Sequence, residues 1–168
     1  MSTKTSETLG KVAYTNARLL DPKSGLDSIG ALLSDGKTIT DLGADLFKDG
    51  VPSGLTEVNC GGNCLAPGLV DIRVELREPG DEHQATIAST VRAATKGGVT
   101  SFVCLPNTEP VIDDMSVVEF IARRARKLGL AKVYCYGAVT KGLEGLELAE
   151  MGMLSEAGAL AFTDGNKV

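Results

Sequence analysis

The sequence predicts an α/β protein in two parts, a small β-sheet segment over residues 1–64 and a parallel strand–helix alternation over residues 65–168. Three observations carry this. In the first part, short apolar bursts are broken by turn residues at intervals too short for helices. In the second, apolar runs of strand length alternate with stretches in which apolar residues recur every three or four positions. Strand, helix, strand, helix at that rhythm implies a parallel sheet with right-handed crossovers. Closed barrels and open doubly wound sheets are both built this way.

Residues 1–9 read as a loose polar tail. The bursts at 12–14, 18–20, 29–33 and 38–42 are predicted strands, separated by Asp21-Pro22-Lys23-Ser24-Gly25 and Ser34-Asp35-Gly36-Lys37, with Gly61-Gly62-Asn63 further on. Asp-Gly between two β-prone runs is a strong hairpin signal, so a small antiparallel sheet is expected. From residue 65 the first predicted strand spans 65–76. A helix follows over 82–96, with Ile87, Val91 and Ala94 on one face. A strand over 100–105 ends in Pro106-Asn107-Thr108. The next helix starts near Ser116, where Ser116 and Glu119 fit a capping box. It turns Val117, Ile121, Ala125 and Leu128 inward and stops at Gly129. A strand over 132–139, a helix over 146–157 and a strand over 160–163 complete the pattern.

Composition narrows the function classes. A chain of 168 residues suits one ordinary domain, or a small domain plus part of a larger one. With 43% hydrophobic and 23% charged residues it must fold, at least in part. A net charge of −5 argues against nucleic-acid binding, which needs clustered Lys and Arg. The one basic cluster, Arg123, Arg124, Arg126 and Lys127, reads as a solvated helix face. No apolar run approaches the roughly 20 residues of a membrane span, and the N-terminus lacks the apolar core of a secretory signal. A cytoplasmic location without membrane contact, and reduced thiols at Cys60, Cys64, Cys104 and Cys135, are therefore expected. Cys60 and Cys64 are spaced C-x₃-C, but two thiols with His83 as the only histidine are a weak zinc signal. A nucleotide-binding open sheet would place G-x-G-x-x-G after its first strand. Here that position reads Arg77-Glu78-Pro79-Gly80-Asp81, a poor phosphate cradle.

The stretch APGLVDIRVELREPG (66–80) resembles the opening barrel strand of the dihydroorotases, metal-dependent amidohydrolases whose pattern is A-P-G-L-V-D-x-H-x-H-x-R-E-P-G. The likeness continues through AATKGGVT (93–100), LPNTEP (105–110) and GALAFTDG (158–165). LDP (20–22) and DGK (35–37) resemble the family's N-terminal sheet segment, so the likeness runs along nearly the whole chain from about residue 12. The resemblance implies a TIM-type (β/α) barrel, preceded by a β-segment that forms part of a composite β-sandwich. It also implies a hydrolase of cyclic C–N amide bonds in pyrimidine biosynthesis, with zinc as the family's cofactor.

Arg77 and Asn107 match family residues that hold the substrate's carboxylate and ring. The residue types are chemically apt, since arginine offers a planar fork to a carboxylate, and asparagine both donates and accepts. Each lies at or just beyond the C-terminal end of a predicted strand, where barrel sites assemble. Read without the family, Arg77 would instead pair with Glu78 or Asp81, and Asn107 would shape a turn before Thr108.

The metal-binding positions depart from the pattern. The family's two histidines sit two residues apart so that both project from one face of the strand. This sequence has Arg73 and Glu75 there. Arginine is permanently protonated and offers no lone pair. Asp164 is the nearest match to a bridging aspartate in the family's F-[ST]-D-D-G turn, but the turn here reads Phe162-Thr163-Asp164-Gly165-Asn166, one acid short. His83, in the first turn of a predicted helix, is too far along to replace the pair. No Ser, Cys or Thr nucleophile stands beside a histidine base. No catalytic residue and no zinc are therefore expected, and Arg73, Glu75 and Asp164 read as vestigial. Arg73 and Glu75 are expected to fill the volume and charge the metal left, with Arg73 paired to Glu75, Asp71 or Asp164.

The resemblance then points to the family's non-catalytic chains, which it implies are scaffolds for aspartate carbamoyltransferase. The catalytic chain of that transferase is the expected partner, in a homo- or hetero-oligomer. An active cyclic amidohydrolase with an altered metal site is the alternative. An interaction protein related to dihydropyrimidinases fits the R-E-P-G and P-N-T motifs less well. A complete barrel has eight strand–helix units, typically about 250 residues. The four strands and three helices predicted from residue 65 make half a barrel. The sequence is expected to be a piece of a longer barrel rather than one that closes by association.

Overall fold

The computed structural model describes residues 10–165; the expected tail over 1–9 and Asn166 lie outside the described residues. The chain divides between Pro67 and Gly68 into two compact units.

The first unit is one sheet of β1 (Lys11–Asp21), β2 (Leu26–Asp35), β3 (Thr38–Gly43), β4 (Thr56–Asn59) and β5 (Cys64–Leu65), in the order β3-β2-β1-β4 with β5 also on β1. β1 is a single strand where two bursts suggest two. Its register with β2 shifts between Tyr14 and Ala17, and Asn16 takes a φ of 51°. Such a bulge interrupts the inside–outside alternation while the ladder continues, which is why the apolar pattern reads as broken. The sheet is also mixed, not antiparallel throughout. β1–β2 and β2–β3 are antiparallel, but β4 and β5 run parallel to β1. A parallel neighbour needs a return connection instead of a tight turn, and residues 44–55 supply it here. Ala13, Ala17, Leu19 and Ala31 are its buried apolar residues.

The second unit is a parallel sheet, β6 (Leu69–Val74), β7 (Val99–Cys104) and β8 (Lys132–Cys135), in that order. Helix α1 (Ile87–Lys96) connects β6 to β7, α2 (Met115–Leu128) connects β7 to β8, and α3 (Met151–Ala157) follows. The core lies between sheet and helices. Phe102, Cys104 and Cys135 from the strands meet Ile87 and Val91 of α1, Ile121 and Ala125 of α2, and Leu154 of α3. The inward faces expected of α1 and α2 are the buried ones, with Ala94 and Leu128 packed partly buried against the same core. Among the described residues, no helix is long and apolar enough to cross a membrane.

Element boundaries differ from expectation for local reasons. Cys64 and Leu65 pair with β1, so the first strand of the second unit starts at Leu69, not residue 65. Helix α1 starts at Ile87, not 82, because Thr86 and Ser89 form a reciprocal capping box there. In α2 the cap is Asp114, whose carboxylate accepts from the Ser116 amide at 2.8 Å, in place of the expected Ser116–Glu119 box. Gly129, in the left-handed region, ends α2 as expected. The strand expected over 160–163 is a single parallel bridge, Gly137 with Phe162, flanked by bonds from the Gly137 amide to the Ala161 carbonyl and from the Thr163 amide to the Gly137 carbonyl, both 3.0 Å. Phe162 packs so closely on Gly137 that a Cβ there would lie 3.0 Å from its ring. The chain thus runs beside the end of β8, while α3 itself begins only at Met151, not 146.

Candidate functional site

Parallel strands bring their C-terminal ends to one edge of a sheet, so the segments that leave β6, β7 and β8 lie side by side. Backbone bonds sew them together. The Leu105 amide donates to the Val74 carbonyl at 2.9 Å, Glu109 to Pro79 at 3.1 Å, Tyr136 to Cys104 at 2.9 Å and Ala138 to Ile112 at 2.8 Å. Asp113 accepts from the Gly142 amide at 2.8 Å, tying the last two segments. Gly80 has a φ of 112°, and a Cβ there would lie 2.5 Å from Glu109. Only glycine allows these two segments to approach so closely.

Alternation of side chains sorts the exit of β6 into two faces. Leu76 and Glu78 are buried, whereas Arg73, Glu75 and Arg77 are exposed or half-buried. Arg77 Nη2 donates to Glu75 Oε2 at 3.0 Å, and both side chains are 39% exposed. The arginine therefore pairs with Glu75, not with Glu78 or Asp81. The backbone amide of Arg73 donates to Asp71 Oδ1 at 2.9 Å.

Glu78, 2% exposed, has a role that the sequence pattern alone does not suggest. Its Oε2 accepts from the Ile87 amide at 2.7 Å, at the first turn of α1. Its Oε1 accepts from Arg124 Nε and Nη2 at 2.9 and 2.7 Å. The Arg124 guanidinium stands 5.8 Å from the centre of the Phe120 ring, within cation–π reach. One carboxylate thus joins the β6 exit, α1 and α2. Arg124 is not simply part of a solvated basic face. The available signal is its position: it follows Ile121 by three and flanks the apolar stripe of α2.

Asn107 is exposed on the segment after β7, next to the buried Pro106. The turn-shaping role falls to its neighbour Thr108, which is buried and donates its hydroxyl to the Pro110 carbonyl at 2.7 Å. Arg77 and Asn107 thus lie on neighbouring segments at one end of the sheet. Asp164 sits beyond the Phe162 bridge and reaches back to the segment after β8. Its Oδ1 accepts from the Val139 and Thr140 amides at 2.8 and 3.0 Å, and its Oδ2 from the Thr140 hydroxyl at 2.6 Å.

As a donor set for zinc these positions fit poorly. Zinc takes imidazole, thiolate or free carboxylate. Arg73 has no lone pair, Glu75 is ion-paired, and the Asp164 carboxylate accepts three hydrogen bonds. His83 lies in the turn before α1 rather than within the helix; it is 75% exposed and 3.9 Å from Asp81. Among the described residues, no group of three or more His, Cys, Asp or Glu side chains is placed to hold a metal ion. The four cysteines are free thiols. Cys104 and Cys135 are register partners on β7 and β8, and the hydrogen bond that the Cys104 thiol donates to Cys135, with burial, pushes Cys104 up. A buried, protonated thiol is not a nucleophile.

Comparison with known proteins gives this arrangement a context. A family model described as dihydro-orotase-like matches residues 62–168. A dihydroorotase of Wolbachia sp. subsp. Brugia malayi (strain TRS) is 47% identical over 155 residues, which cover 92% of this chain and 34% of that protein. A dihydroorotase of Ehrlichia canis (strain Jake) is 47% identical over 154 residues, covering 91% and 34%. A dihydroorotase-like protein of Pseudomonas putida is 45% identical over 159 residues, covering 93% and 36%. The chain spans about a third of the length of the curated relatives it matches. Among solved structures, the L-hydantoinase (dihydropyrimidinase) from Arthrobacter aurescens is similar with a TM-score of 0.73 at 21% identity, over 90% of this chain and 32% of that one. At that identity the likeness concerns the fold alone, the N-terminal part of an amidohydrolase-type TIM barrel.

Proposed function

Because this chain belongs to the dihydroorotase-like family, we propose that it is a non-catalytic member, and that it serves pyrimidine biosynthesis as a structural partner of the aspartate carbamoyltransferase catalytic chain. One observation carries the first half of this reading. The strand positions at which the resembled pattern has two histidines hold Arg73 and Glu75, and Glu75 is engaged by Arg77. A cation at the first position repels a divalent metal, and without metal there is no activated hydroxide and no Lewis acid to polarise an amide carbonyl. No hydrolytic step is therefore assigned to this span. Arg77 and Asn107 are retained as a pocket for the carboxylate and ring of a dihydroorotate-like ligand.

The other reading is a working cyclic amidohydrolase with an altered metal site, favoured by the 47% identity to proteins called dihydroorotases. The two separate on the polypeptide carrying this span, purified from its native host. The non-catalytic reading expects no stoichiometric zinc, no dihydroorotate hydrolysis and co-purification with aspartate carbamoyltransferase. Bound zinc with hydrolysis would reverse it. An Arg73→His, Glu75→His double variant that gains zinc would show that the surrounding pocket is otherwise intact.

A further inference from the structure

We propose that the Glu75 carboxylate is an internal occupant of the carboxylate subsite of Arg77, so that an acidic ligand binds in competition with it. This rests on reading Arg77 as a ligand-binding residue. Glu75 and Arg77 leave β6 two residues apart on one face, and they meet through Nη2 and Oε2 at 3.0 Å. A guanidinium has five donors arranged as a fork, so this one-point contact leaves most of the fork's capacity toward a carboxylate unused. A ligand carboxylate approaching the fork can make two parallel bonds where Glu75 makes one.

Both side chains are 39% exposed, which lets the pair open and exchange with solvent or ligand. Three residues on, the opposite holds: Glu78 is buried and held by three hydrogen bonds, so it cannot be exchanged. A histidine at position 75 would not compete in this way, because a neutral imidazole is no carboxylate mimic. The exchange of histidine for glutamate therefore does two things at once. It replaces an imidazole by a carboxylate that Arg77 engages, and it raises the threshold for carboxylate binding next door.

The test is calorimetric titration of the full polypeptide carrying this span with L-dihydroorotate and with dihydrouracil, the same ring without the carboxylate. Glu75→Gln keeps the shape of the side chain and removes its charge. It is expected to tighten dihydroorotate about fivefold, the scale of a partly exposed ion pair, and to leave dihydrouracil unchanged. Arg77→Gln is expected to weaken dihydroorotate and to cancel the gain in the double variant. If Arg77→Gln weakens binding but Glu75→Gln does not tighten it, the pocket stands and the internal occupant is refuted. If Arg77→Gln has no effect, the pocket reading itself fails and the inference falls with it. Absence of dihydroorotate binding to both the parent and Glu75→Gln overturns the inference as well. Thermal melts of each variant check that the fold is retained.

Discussion

Glu75 and Glu78 leave the same strand three residues apart, yet they sit in opposite surroundings. Glu75 is on the open face with an arginine contact; Glu78 is on the core face, where it holds the start of α1 and the middle of α2. The difference comes from strand alternation, not from residue type. A carboxylate facing solvent is free to change role, whereas one facing the core is fixed by what it joins.

The largest test of that contrast is Glu78→Ala. It leaves the Ile87 amide and the Arg124 guanidinium without their shared acceptor. The expected loss is about 3 kcal/mol, at the low end for a buried pair because Arg124 is half exposed. Glu75→Gln is the control, expected to change stability by no more than about 0.5 kcal/mol. Urea melts of the two side by side decide it, and equal losses would break the comparison. Next in size is Gly80→Ala, where the φ of 112° and the approach to Glu109 are expected to cost about 1–3 kcal/mol. That loss would show that the open face stands on a backbone frame as demanding as the core.

The smallest effect sharpens the comparison through a third acid. Asp114 is exposed but caps α2, and its hydrogen bonds from Ser116 hold its carboxyl below the usual value. A folded pKa below the unfolded one means the stabilisation is complete above the unfolded value and is lost as pH falls through the folded value. Asp114→Asn keeps a capping acceptor and is expected to remove this part of the acid sensitivity, seen as a flatter fall in melting temperature below pH 4, roughly the unperturbed carboxylate range. An unchanged acid profile would show that exposure alone decides an acid's role.

What the sequence disclosed follows the range of the interactions involved. The strand–helix order and the inward faces of α1 and α2 depend on local periodicity, and Ile87, Val91, Val117, Ile121 and Ala125 could be read directly from it. The glycine stop at Gly129 is equally local. The parallel return of β4 onto β1 depends on a connection with no periodic signature, and the bulge at Asn16 disguises one strand as two. At the candidate site, the resemblance pointed to the exits of β6 and β7, where Arg77 and Asn107 do lie. The pairings there were not legible. Glu78 and Arg124 are 46 residues apart, and nothing in either neighbourhood names the other. Arg77 faces acids at 75, 78 and 81, and only the alternation of an extended backbone past the end of β6 selects the first.

The reach of Asp164 back to Val139 and Thr140, across 25 and 24 positions, makes two amides into sentinels. They gain their acceptor only after α3 has docked and delivered residue 164. Slow hydrogen exchange at these two positions would therefore clock the arrival of the helix, and an early loss of protection would announce its departure before the sheet itself opens.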